Sequence, residues 1–103
     1  MPTARQIVLV PAADADATLG TRHVIIDTLA GYNTTPDGDP DTDGVLFGPG
    51  FRVELPFVGE RDPVGQALLT ITEEDNAWPV LVRMCKETGW RLMDAESGRT
   101  FGP

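Results

Sequence analysis

Hydrophobic residues follow two spacings along the chain, and the change from one to the other is clearest between residues 66 and 101. Gln66 to Thr72 is a short apolar run of strand length. After it, Ala77, Leu81, Met84, Cys85 and Thr88 recur at helical spacing, while Arg83, Lys86 and Glu87 fall on the opposite side. Glu73, Glu74 and Asp75 open this segment, where a helix dipole favours negative charge. Thr72 and Asp75 resemble a capping box with Asp in place of Glu. With Thr72 as cap, Pro79 would fall deep enough to kink the helix. With Asn76 as cap it falls in the first turn, so the pattern predicts an acidic turn leading into a main helix from Asn76. Gly89 suits a left-handed stop, and Trp90 suits the apolar contact that accompanies one. Trp90 to Asp94 then reads as a strand. Ala95 to Gly98 forms a turn, and Arg99 to Phe101 returns along it.

The first half is less regular. Arg5 to Val10 (RQIVLV) is a buried strand ended by Pro11. Asp14 or Asp16 caps an expected helix over 17–30, with Leu19, His23, Ile26 and Ala30 along one side and Gly31 as its stop. The β-branched stretch HVIID also suits a strand, and Gly20 costs a helix about 1 kcal/mol relative to Ala. Residues 32–44 (YNTTPDGDPDTDG) form a long acidic loop, expected to be mobile or functional. Val45 to Phe47 precede a glycine-rich break at 48–50. Phe51, Val53, Leu55 and Phe57 then alternate with polar residues or Pro56 as a half-buried strand does.

The resulting order, β-α-β-β-α-β with a C-terminal hairpin return, resembles the ferredoxin-like split βαβ sandwich: α+β, with two helices on one face of an antiparallel sheet. That resemblance is one of element order. If 17–30 were a strand, a more open sheet with one helix would replace it. RNA-reading versions of such a sheet carry aromatic residues on central strands. The run QALLTIT has none, and no positive charge. Metal-carrying versions need paired cysteines after the first strand, and PAADADA has no cysteine.

Composition narrows the function classes. The length suits one domain over 1–103. No run is long enough to cross a bilayer, and the apolar stretch from Ile7 to Val10 is too short for a signal peptide, so a cytoplasmic protein without membrane contact is expected. A single cysteine excludes an internal disulfide framework. A net charge of −8 disfavours binding to nucleic acid, since neutralising phosphates takes a local excess of Lys and Arg.

The sharpest motif is Asp39-Pro40-Asp41-Thr42-Asp43-Gly44, which fits the first half of a calcium loop. Asp37 adds a fourth carboxylate. Gly50 stands where the bidentate Glu belongs, and no helix precedes the loop, so the alternative is an acidic surface loop binding no cofactor. His23 is the only histidine and Ser97 the only serine. Nothing in the spacing pairs them, and no nucleophile elbow surrounds Ser97. Cys85 lies on the apolar side of the second helix, where a thiol packs as a small hydrophobe. Pairs drawn from Glu54, Glu73, Glu74, Asp75 and Asp94 could serve acid–base chemistry. With sixteen acidic residues in the chain, such pairs arise without selection for catalysis.

Strand alternation also defines a face turned away from the helices. If Val8, Phe51, Val53, Leu55, Phe57, Leu69, Ile71, Trp90 and Leu92 point toward the helices, the other face carries Ile7, Leu9, Arg52, Glu54, Leu68, Thr70, Arg91 and Met93. A face so apolar calls for cover, and Ile7, Leu9, Leu68, Arg91 and Met93 form its candidate interaction surface. The pattern therefore predicts a non-enzymatic association module, either a homodimer or the binder of a protein partner. The alternatives are a calcium module using Asp37, Asp39, Asp41 and Asp43, and a small enzyme with a cleft between dimer subunits.

Overall fold

The computed structural model describes residues 5–12, 17–39, 41, 44–59 and 61–101. It is a small α+β domain. Strand β1 (Arg5–Val10) leads to helix α1 (Arg22–Ala30), strands β2 (Val45–Gly48), β3 (Phe51–Glu54) and β4 (Ala67–Ile71), helix α2 (Glu74–Thr88), and strands β5 (Arg91–Asp94) and β6 (Thr100–Phe101). All pairings are antiparallel, in the order β2-β3-β4-β1-β5-β6. The expected sandwich had four strands and a return. The observed sheet carries a strand beyond β3, because Val45–Gly48 and Phe51–Glu54 form a hairpin of their own around Pro49 and Gly50. Pro49 supplies the restricted φ and Gly50 a φ of +77°, the combination that a type II turn requires.

Helix α1 starts later than the 17–30 window. Gly20 has a φ of +105°, outside the helical range, and Leu19 is tied instead to the loop before β4. Its amide donates to the Val64 carbonyl at 2.9 Å, and the Val64 amide donates to Gly20 at 2.8 Å. Thr21 caps the helix, its hydroxyl accepting from the Val24 amide at 3.3 Å. The expected caps Asp14 and Asp16 lie outside the described residues. The buried side is Ile25 and Leu29, with His23 exposed, so the helix is turned from the expected face. Burial of these two residues holds HVIID in a helix despite its β-branched composition.

Helix α2 begins at Glu74 rather than Asn76 and runs through Pro79. Pro79 has no N–H to offer the Asp75 carbonyl. Both residues are exposed, so water can take that carbonyl's place in the ladder. Ala77, Leu81, Met84 and Cys85 are buried as the spacing predicts. Gly89 ends the helix at φ +80°, its amide donating to the Cys85 carbonyl at 2.9 Å, and Trp90 packs beneath. The Gly98 turn is likewise left-handed, at φ +74°.

One hydrophobic cluster joins both helices to the sheet, with Ile7, Leu9, Ile25, Leu29, Leu69 and Leu81 at 0% exposure. Two expectations fail here. Ile7 and Leu9 belong to this core, so β1 faces the helices with the opposite set of residues from the one expected. Phe57 is 83% exposed, because β3 stops at Glu54 and Pro56 cannot donate to a ladder. The start of the acidic segment is packed: Tyr32 and Thr34 are buried, and Thr35 exchanges backbone hydrogen bonds with Phe47 at 3.1 and 2.8 Å.

Candidate functional site

Since Ile7 and Leu9 point inward, the outer side of β1 is Gln6, Val8 and Val10. Register fixes their neighbours. Val8 lies between Leu68 of β4 and Met93 of β5, and Leu68 is followed across the sheet by Glu54 and Val45. Gln6 lies beside Thr70, then Arg52 and Phe47. Val10 lies beside Arg91. Val8, Val10, Leu68, Arg91 and Met93 are half-buried, and Phe47 is exposed. Of the five surface candidates, Leu68, Arg91 and Met93 therefore share this outer face. Ile7 and Leu9 do not, and Val8 and Val10 occupy their places. The Arg91 guanidinium is directed to the end of β1, its Nε donating to the Pro11 carbonyl at 3.2 Å.

At one end of this face the row Arg52–Thr70–Gln6 opens into a hollow of about 510 Å³, bordered also by Arg5, Asp94 and Glu96. Arg5 belongs to the helix-facing side of β1, but its side chain reaches past the strand end. Nη2 donates to Asp94 Oδ2 at 3.3 Å and Nη1 to Glu74 Oε1 at 3.4 Å. Its guanidinium also lies 5.7 Å from the centre of the Trp78 ring, whose Nε1 donates to the same Glu74 oxygen at 3.4 Å. Arg5 thus joins the start of β1 to α2 and to the end of β5.

Asp94 accepts from the Glu96 and Ser97 amides at 2.8 and 3.2 Å, which closes the final turn. Those amides, and then Arg5, hold its carboxyl below the usual aspartate range against the opposing effect of desolvation. Arg52 pairs with Glu54 at 3.4 Å within its own strand.

Two carboxylates of the acidic motif accept backbone amides of their own loop. Asp37 accepts from the Asp39 amide at 3.0 Å, and Asp39 from the Asp41 amide at 2.9 Å. Asp43 lies outside the described residues. Among the described residues no three His, Cys, Asp or Glu side chains converge as a metal site would require. Among the described residues His23 pairs with Asp27, at 3.3 Å on an exposed helix surface. The Ser97 hydroxyl accepts from the Arg99 amide at 3.3 Å as part of the turn. Cys85 is buried, and burial pushes its thiol up to about 11, so it is protonated at neutral pH. Of the carboxylates weighed for acid–base work, Glu74 and Asp94 share Arg5, Glu54 pairs with Arg52, and Glu73 accepts from the Asn76 side-chain amide at 2.6 Å.

Two members of this site, Arg5 and Gln6, escaped sequence reasoning. Both lie at the edge of the strand pattern, where placing Ile7 inward would have put Arg5 on the helix side and Gln6 on the outer side. Among the described residues no helix is long and apolar enough to cross a membrane. Compared with family models, with curated proteins and with solved structures, the chain has no match.

Proposed function

We propose that this chain is a non-enzymatic association module that pairs with a second copy of itself through the outer face of its sheet. The reading rests on one observation: register sets Val8, Leu68 and Met93 side by side as a half-exposed apolar band on the side of the sheet opposite the buried core. Burying such a band stabilises association roughly in proportion to the apolar area removed from water, at about 25 cal/mol per Å².

Charge favours this face over the rest of the surface. The chain carries a net charge of −8, so two copies repel through most approaches. The outer face carries Arg52 and Arg91 beside Glu54, and an isologous two-fold contact sets residues of one copy against complementary residues of the other. The same overall charge argues against a nucleic-acid partner. A lone, buried, unpaired cysteine is compatible with a reducing cytoplasmic setting. We read β3-β4-β1-β5 with the two helices as a ferredoxin-like core to which β2 and β6 add edge strands.

Sedimentation equilibrium tests the pairing. The wild-type chain is expected to run as a dimer, and Leu68→Asp as a monomer with an unchanged circular dichroism spectrum. A monomeric mass for the wild type at about 1 mM, where contacts of even weak affinity fill, overturns the reading.

A further inference from the structure

Thr70 is buried to 2% exposure in β4, yet among the described residues its hydroxyl has no hydrogen-bond partner. Buried hydroxyls are nearly always satisfied, so one left over at the edge of a cavity marks a place for a missing polar atom. Thr70 lies in the middle of the row Arg52–Thr70–Gln6 and lines the 510 Å³ hollow at the end of the sheet.

The rim of that hollow carries both signs of charge. Arg52 stands on one side, 41% exposed and, among the described residues, held by Glu54 within its own strand. Asp94 and Glu96 stand on the other side, beyond Gln6. Asp94 has little left to offer: Oδ1 accepts two amides and Oδ2 accepts Arg5. Glu96 is exposed, and none of its side-chain contacts among the described residues is a hydrogen bond or ion pair. Between the two ends lie the Thr70 hydroxyl and the Gln6 amide, each able to donate and to accept. A free anion would meet the field of a chain with net charge −8, and a free cation would meet the guanidiniums of Arg5 and Arg52. A molecule with both charges and no net charge avoids both penalties.

We propose that this hollow binds a small zwitterion of the amino-acid class, with its carboxylate toward Arg52, its ammonium toward Glu96, and the Thr70 hydroxyl, closed to solvent in the unliganded chain, turning to bond it between them. The hollow adjoins the Val8–Leu68–Met93 band on the same face, and all of its lining comes from one copy of the chain.

Two-dimensional ¹H–¹⁵N NMR of the full chain tests this, titrating pools of the common amino acids, with acetate and methylammonium as single-charge controls, each to about 10 mM so that millimolar binders saturate. One pool is expected to shift the Gln6, Thr70 and Glu96 amides along a saturable curve. Thr70→Val keeps the side-chain shape and removes the unsatisfied hydroxyl, so it should fold and melt no lower than wild type while losing the titration. Arg52→Gln should weaken it at least about tenfold, as loss of a charge-assisted hydrogen bond does. The proposal is overturned if no pool saturates, if acetate alone reproduces the shifts, or if Thr70→Val titrates like wild type, in which case the hydroxyl serves only a bound water.

Discussion

Gly50, at the tip of the β2–β3 hairpin, abuts Glu73 at the head of α2 so closely that a methyl group on Gly50 would collide with the Glu73 carbonyl oxygen. The Gly50 carbonyl accepts the Thr72 and Glu73 amides at 2.8 and 3.0 Å. Glu73 makes no side-chain cap, and its own amide, the one a capping box would satisfy from within the helix, is taken instead by a turn far away in sequence. The extra hairpin is therefore tied to the second helix through its turn.

Gly50→Ala should accordingly be among the most destabilising single-methyl additions in the chain. It meets both a positive φ and a backbone oxygen, and strain of each kind costs on the order of 1–3 kcal/mol. Gly65→Ala is the control, since nothing lies within 4 Å of its added carbon and its φ is not in the left-handed region. Urea unfolding should show a clear loss for the first. The second should be neutral or slightly stabilising, because Ala lowers the entropy of the unfolded chain. Equal midpoints for the two variants would contradict the Gly50–Glu73 contact.

The two faces of β1 make a second test. Ile7 is at 0% exposure between Leu69 and Asp94, while Val8 lies half-exposed between Leu68 and Met93. Ile7→Ala should cost about 2–5 kcal/mol, the range for large-to-small changes in a packed core. Val8→Ala should cost well under half as much in the monomer. The reverse ranking in chemical denaturation would mean that the strand is inverted.

Why β1 misled while β4 to β6 did not is visible in the residues. Between Gln66 and Phe101 the signals, the start of α2 apart, have one reading each: Gly89 and Gly98 can take positive φ cheaply, and Ala77, Leu81, Met84 and Cys85 fit only a helix face. In RQIVLV both alternating sets are apolar, Ile7 and Leu9 against Val8 and Val10, so period two does not choose between them. The choice follows from pairing: Ile7 beside Leu69 and Leu9 beside Leu92 put the larger side chains under the helices. Likewise Gly20 does more than weaken a helix. Its left-handed φ and its bond to Val64 fix where α1 begins, and Val64 is remote in sequence. The hollow was illegible for the same reason. Arg52, Thr70, Gln6 and Glu96 come from four separate segments, and an unsatisfied hydroxyl leaves no trace in a sequence.

Asp94 should give the fold an acid dependence. Its carboxyl is held below the usual range by the Glu96 and Ser97 amides first and by Arg5 after them, with desolvation opposing. A group whose folded pKa is depressed stabilises the fold above its unfolded pKa, and that contribution is lost as pH falls through the folded value. The stabilisation should therefore be fully present at neutral pH and drain away below about 4, the unfolded aspartate value. Asp94→Asn keeps an oxygen for the two amides but loses the charge facing Arg5. It should be less stable than wild type at pH 7, and the gap should close as the wild-type carboxyl protonates. Melting curves for both proteins between pH 7 and pH 2 check this, with the Asp94 carboxyl resonance followed by NMR. A gap that stays constant with pH would show that the turn, and not the charge, is what Asp94 contributes.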